Sequence, residues 1–417
     1  MFAVFNRLQE FARWRRPSGE GLWSGRMKDQ VPVAEIRSWL FDSALPFWGS
    51  AGLDRQFGGF LEEVDSLGKP TDCAFKRVRV ICRQVYVFSH AAQLGWRPGV
   101  ELSNLGYAYL LERAWLGAER GWARRLTRQG EVLDPTPDLY DLAFVLFALA
   151  WRYRLTGERD VRDRADQTLQ FIERELGAGD LGGFWHDARR QEPRLQNPHM
   201  HLLEACLALA EATGDDRYLR PASDIVQLFN KHFFDGSTLA EYFTSNWRLW
   251  PEALGRSREP GHHFEWAWIL AQYGKLSGEA VLPAARALVD FAERCIDPQT
   301  GAVFDAVTDT GQTLRASSRT WPNTERIKGW LGLFELERSD PCPALAQSSR
   351  LLLDRYFKAE RPGSWVDQFD ASGQAISTIA PASTFYHVFL AFAELLRLAP
   401  LLEQSAGPPQ PSMEPKS

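Results

Sequence analysis

Eight histidines occur in the 417-residue chain, and five of them (His199, His201, His262, His263 and His387) fall in dense polar–aromatic stretches. The densest runs Glu259-Pro260-Gly261-His262-His263-Phe264-Glu265-Trp266-Ala267-Trp268. Pro260 and Gly261 mark a break before a helix, on which His262 and Glu265, three apart, share a face. A carboxylate beside an imidazole fixes its tautomer and raises its basicity, which suits a general base near neutral pH. His263 points elsewhere and reads as structural. In Asn197-Pro198-His199-Met200-His201, Asn197 and His201 are one turn apart and can grip hydroxyl groups together, while His199 lies on another face. His387 sits in Thr384-Phe385-Tyr386-His387; alone on such an apolar helix, a histidine is ordinarily a core residue with satisfied hydrogen bonds. Arg83 falls inside an apolar helical run, where a guanidinium needs a partner or a ligand oxygen. Tyr140 and the pair Trp321 and Glu325, from Trp321-Pro322-Asn323-Thr324-Glu325, complete the candidates.

Imidazoles with supporting carboxylates suit proton transfer at carbon. Two other chemistries use the same residue types. His199 with His201, and His262 with Glu265, have spacings that metal ligands can adopt. Glu62, Glu265 and Glu325 are candidates for the paired carboxylates of a glycoside hydrolase, although the histidine density fits proton transfer better. A non-catalytic sugar- or protein-binding helical scaffold is the alternative from outside enzymology.

Composition narrows the field. The formal net charge of −5 gives no electrostatic reason to expect nucleic acid or an anionic membrane as partner. The 16 tryptophans, in a chain 12% aromatic, suit either a carbohydrate cleft or a large helical core. Cys73, Cys82, Cys206, Cys295 and Cys342 form no CxxC pair, and their odd number argues for a reducing, cytoplasmic compartment. The opening MFAVFNRLQEFARWRR is too broken for a secretory signal and reads as a packing helix within an N-terminal extension, 1–25. No apolar run long enough to span a membrane is expected.

The elements that must carry these residues repeat. Four segments share one layout of apolar helix, turn glycine and second helix. They begin at Arg83, Asp141, His201 and Glu265, and their turn glycines are Gly95, Gly157, Gly214 and Gly278. Weaker copies begin at Lys328 and Tyr386. The period is roughly 60 residues, long enough for a helical hairpin and a loop. Leu142, Val145, Leu146, Leu149 and Tyr153 show the helical stripe, and the glycine after each stripe can take the left-handed conformation that ends a helix. Six hairpins make either an open solenoid or a closed ring. Closure is preferred, because candidates from several repeats must converge. The expected fold is all-α, an (α/α)6 barrel filling residues 1–403. Gly58-Gly59-Phe60, Gly182-Gly183-Phe184 and Gly301-Ala302-Val303 read as short strands or turns at one rim, and 404–417 as a disordered tail.

With these residues in view, the chain resembles the N-acylglucosamine 2-epimerase superfamily over about Trp39 to Leu398, most specifically in PGHHFEW, with NPHMHLLEA, CRQVYVFS, DLYDLAF, WPNTE and FYHVF in matching order. The HHFEWAW and FYHVF forms are closest to its mannose-isomerase branch. The resemblance implies an (α/α)6 barrel with His262 and His387 as the acid/base pair and Glu265 supporting His262. Arg83, Tyr140, Asn197, His201, Trp321 and Glu325 would bind the sugar or help open its ring. It also implies aldose–ketose isomerisation of free mannose and fructose, or of related sugars such as lyxose, through an enediol, with 2-epimerisation as the alternative. No cofactor or metal is expected, nor a partner beyond a monosaccharide and, at most, a second copy in a homodimer. Thr320-Trp321 stands where cellobiose 2-epimerases have two adjacent tryptophans, which argues against a disaccharide.

Overall fold

A left-handed residue closes each of the repeated apolar helices where the sequence places a turn glycine. In the computed structural model, which describes residues 31–404, Gly157, Gly214 and Gly278 cap their helices at φ 69°, 68° and 77°. In the fifth copy, which lacks a glycine, Arg338 takes the same role at φ 60°. The expected extension 1–25 falls outside the described residues, as does the tail beyond Gln404, the last residue of the final helix.

Twelve helical segments form two concentric layers. The inner helices are α2 (Val78–Gln93), α4 (Leu139–Thr156), α6 (Asn197–Thr213), α8 (Pro260–Ser277), α10 (Thr320–Glu337) and α12 (Thr384–Gln404). The outer ones are α1 (33–48), α3 (98–114), α5 (Arg159–Leu176), α7 (219–233), α9 (Leu282–Glu293) and α11 (342–356). The layers differ as the patterning requires. Helix α5 is one-sided, burying Val161, Ala165, Ile172 and Leu176, whereas α8 is buried almost all round from Pro260 to Ala271. Neighbouring inner helices touch in chain order, and α12 packs back on α2. The ring is closed, an (α/α)6 barrel.

The sixth hairpin is not sequential. Among the described residues no outer helix follows α12, and α1, which precedes the other eleven, packs on it. Trp39 stacks on Phe357 at 3.9 Å and meets Phe392 edge-on. Trp48 stacks on Trp365 at 4.7 Å and Phe385 at 5.8 Å. Glu63–Asp65 pairs antiparallel with Ile379–Pro381, and Gln84 donates to the Ala382 carbonyl at 2.8 Å. Burial of each such aromatic ring stabilises the closure by roughly 2–3 kcal/mol.

Among the described residues one helix, α12, is long and apolar enough to cross a membrane: the span Thr384–Glu403 has mean hydropathy 1.5. That departs from the expectation of no such run. The cause is its place in the inner ring, where 78% of the window is buried among other helices.

Loops at one end return each outer helix to the next inner one through short ladders, as the Gly-Gly-aromatic motifs suggest. Phe60, Phe184 and Val303 each bridge back to the end of the preceding helix. Side chains from the inner helices tie the later loops down in one recurring way. His199 Nδ1 bonds the Leu195 carbonyl and Nε2 accepts from Phe184 N–H, both at 2.9 Å. His263 bonds the Glu259 carbonyl and accepts from Leu239 N–H. Asn323 bonds the Arg319 carbonyl and accepts from Val303 N–H. Each pairs with the carbonyl four residues back and with a loop amide, so His199 and His263 are structural.

Candidate active site

The six inner helices begin at the same end of the ring, and their first two turns surround a cavity of about 280 Å³. Arg83, Tyr140, Asn197, His201, His262, Glu265, Trp321 and His387 all line it, with Glu259, Arg319, Asp367, Pro381, Ser383 and Thr384. Parallel N-termini direct their unpaired N–H groups and positive dipole ends toward this space, which favours anionic species there.

Trp321 lies between the two histidines, its ring 5.2 Å from that of His262 and 5.3 Å from that of His387. Gly261 makes room for it, since a Cβ there would lie 2.5 Å from the indole. Arg83 is held from three sides. It donates to Tyr140 Oη at 2.7 Å and to the Ser383 carbonyl at 3.1 Å, and its guanidinium rests on Phe144 at 4.1 Å. His201 meets Tyr140 edge-on, and its Nδ1 lies 3.2 Å from Glu204, whose two oxygens share the Tyr386 hydroxyl proton at 2.5 and 2.6 Å.

The carboxylate behind His262 is not the one expected. Glu241 lies 3.0 and 3.1 Å from Nδ1 through its two oxygens, and Gln196 donates to it at 2.7 Å. Glu265, one turn along α8, instead faces the neighbouring helices, 3.9 Å from both His387 Nδ1 and Lys328 Nζ. Three-residue spacing put His262 and Glu265 on one face, but α8 is buried all round, and a loop carboxylate reaches the imidazole first. The Arg194–Leu195 and Tyr242–Phe243 ladder sets Glu241 against Gln196. No helical period marks it in the sequence. The one cue is a lone acid in the apolar run Leu239-Ala240-Glu241-Tyr242-Phe243.

Glu325 also departs from expectation. It is fully buried beneath the cavity and does not line it. Its Oε1 accepts from His387 Nδ1 at 2.7 Å and its Oε2 lies 2.8 Å from Lys328 Nζ. One turn into α10 from Trp321, it has passed below the rim where a sugar can reach. Glu265, Glu325 and His387 bring donor atoms within 4.8 Å of one another, but the cation that faces these carboxylates is the Lys328 ammonium.

The two histidines have opposite electrostatics. Burial works against a charge on His262, but Glu241, with Glu259 and Glu265, outweighs it and raises the imidazole from 6.5 to about 9. Burial, reinforced by Arg83 and Lys328, pushes His387 well below 6.5. At neutral pH one ring is a cationic acid, and the other is a neutral base with Nδ1–H turned to Glu325 and Nε2 free. Asn197 Nδ2 lies 3.1 Å from His262 Nε2. The amide donates to the neutral ring or, turned over, accepts from the charged one. Two imidazoles, one charged and one neutral, facing one hydroxyl-binding cavity can supply a proton to oxygen and remove one from carbon.

A closed helical ring with its polar site at the inner-helix N-termini fixes the fold, and the comparisons with known proteins give its family. The sequence profile of N-acylglucosamine 2-epimerase (GlcNAc 2-epimerase) matches residues 58–391, and the chain belongs to that family. It is 34% identical over 383 residues to a mannose-6-phosphate isomerase of Rhizobium meliloti (strain 1021), covering 88% of this chain and 98% of that one. With a D-mannose isomerase of Thermobifida fusca it shares 28% over 287 residues, 63% of this chain and 65% of that one. The solved cellobiose 2-epimerase of Spirochaeta thermophila DSM 6192 superposes with a TM-score of 0.80 at 23% identity, covering 89% of this chain and 97% of that one. The protein is an enzyme of sugar isomerisation or epimerisation.

Proposed function

We propose that the enzyme interconverts free D-mannose and D-fructose through a cis-enediol. The observation that carries this reading is the cationic His262 and neutral His387 on either side of Trp321. With the sugar open, His387 Nε2 takes the C2 proton and Glu325 receives its Nδ1–H more tightly as charge develops. Negative charge accumulates on O1, facing the helix N-termini. His262 protonates O1, the O2 proton leaves by the same imidazole, and His387 returns its proton to C1. The C1–C2 pair is then a ketose. Positioned proton transfer of this kind contributes about 10²–10⁴-fold in rate.

The charges at the rim support an unsubstituted sugar. Arg319 is already paired with Asp305 at 2.9 Å and Glu259 at 3.1 Å, and Arg83 is committed to Tyr140 and Ser383. Glu259 and Asp367 face the cavity beside them, so a dianionic phosphate would meet two carboxylates, against Arg83 as the lining guanidinium bonded only to neutral groups. This separates the proposal from the activity named for the R. meliloti relative.

The 2-epimerase reading rests on the same two imidazoles, which can serve opposite faces of C2. Incubation with mannose in D2O, followed by NMR, distinguishes them. Fructose is expected; glucose deuterated at C2 would establish the epimerase. Turnover of mannose 6-phosphate with none of mannose would overturn the free-sugar assignment. His387→Ala should abolish C2 exchange, and exchange that survives it would remove His387 as the base.

A further inference from the structure

A lysine in the middle of an inner barrel helix is an anomaly, because ammonium groups are almost never fully buried unless paired. Lys328 is 0% exposed. Its Nζ lies 2.8 Å from Glu325 and 3.9 Å from Glu265, and 4.6 and 5.7 Å from the ring centroids of Trp268 and Tyr386. Glu204, on α6, also contributes to its field. Four inner helices therefore converge on one ammonium: α6 through Glu204, α8 through Glu265 and Trp268, α10 through Glu325, and α12 through Tyr386. It stands one layer below the cavity, behind the carboxylate that bonds His387 and out of reach of a sugar.

We propose that Lys328 is a positioning residue for the reaction: its ammonium, seated on Glu325 Oε2, favours negative charge on that carboxyl and so directs His387 Nδ1–H to its Oε1. The inference rests on the reading of His387 as the C2 base. The physical reason is that two carboxylates this close cannot both stay charged without a cation between them. Burial and Glu265 raise Glu325 well above the ordinary carboxylate range, and Lys328 is the charge that opposes them. Remove the ammonium and nothing offsets the proton that burial and Glu265 favour on Glu325, so the acceptor behind His387 is lost. The groups facing His387 are then Arg83 from α2, His201 from α6, His262 and Glu265 from α8, and Glu325 from α10, with Glu204 from α6 acting on Glu325. Arg83 and the raised His262 would remain near the ring, but the cation nearest the carboxylates would be gone, and His387 would take up a proton more readily.

The test is Lys328→Met beside Lys328→Arg, each followed by the pH profile of kcat and by NMR of protein labelled with 15N in its eight histidines. In Lys328→Met the acidic limb of kcat and the His387 resonance should both move up by about one pH unit or more. At neutral pH kcat should fall about tenfold with KM within about twofold. Lys328→Arg, which keeps the charge, should restore the wild-type profile. A fall in kcat with neither limb nor resonance displaced would overturn the proposal, since a merely structural lysine would give that result. If Lys328→Met does not fold, the wild-type enzyme still decides. Its acidic limb must lie below the ordinary imidazole value of 6.5, and a limb at or above it refutes the arrangement. The resonance is read without turnover, so an error about Lys328 is distinguishable from an error about His387, which His387→Ala reports on its own.

Discussion

Replacing Glu241 by Gln keeps the shape of the group behind His262 and removes its charge. The displacement of His262 from 6.5 to about 9 corresponds to about 3 kcal/mol of preference for the imidazolium. Burial opposes the charged ring, so without Glu241 the value should return to 6.5 or below. At pH 7.5 the charged fraction then drops from about 97% to about 9% or less. A reaction that needs His262 as an acid should lose about tenfold in kcat at pH 7.5 from protonation alone, and much less at pH 6. The basic limb of kcat should move down by about two pH units or more. Stability follows the same sign. A raised folded-state value contributes fully below 6.5 and is lost as pH rises through 9, so Glu241→Gln should lower Tm at pH 6–7 and have little effect near pH 10. The assay is fructose formation from mannose across pH 5–10, with Tm by calorimetry. A loss of activity equal at every pH would refute the charge argument and leave Glu241 a packing residue.

Three further outcomes are expected. Burial pushes His90 and His199 down to about 3 and His263 to about 4; bases depressed in the fold cost stability as pH falls below 6.5, so unfolding free energy should drop by about 1.4 kcal/mol per pH unit for each between pH 6 and 4, and a flat denaturant-stability profile there would contradict their buried neutral state. Trp48→Ala should cost about 3–5 kcal/mol, read as Tm, because it removes the stack that joins α1 to Trp365 and Phe385; a change below about 1 kcal/mol would show that ring closure does not depend on it. Extended treatment with a chelator should leave turnover unchanged, because the Lys328 ammonium already faces the carboxylates that a metal would need; loss of activity restored by a divalent ion would reverse that assignment.

The barrel is legible in the sequence because the repeat is. A turn glycine after each apolar stripe fixes helix ends, and equivalent helix starts must face one end of a ring. That logic brings Arg83, Tyr140, Asn197, His201, His262, Trp321 and His387 together, and all seven line one cavity. It fails where a residue's partner is set by another segment. Glu241 lies in a loop whose two-residue ladder carries no period, so its claim on His262 is invisible beside the closer-looking Glu265. Glu325 obeys the same helical spacing as its neighbours but lies one turn too deep to meet a ligand. Lys328 marks only the start of a weaker repeat copy in the sequence, and its role emerges once α6, α8 and α12 are seen around it. The sixth hairpin escaped for a related reason: its two halves are separated by most of the chain, and a repeat search pairs only neighbours.

That split hairpin bears on how the enzyme comes into being during synthesis. Five inner helices and their partners leave the ribosome as an open arc, whose apolar edges on α1, α2 and α10 stay uncovered until α12 arrives. His387 arrives with it. Ring closure and completion of the proposed proton-transfer pair thus both wait for α12, so a chain stalled before it should be both inactive and exposed along its unsealed edge. The same element that finishes the chemistry certifies that the fold is whole.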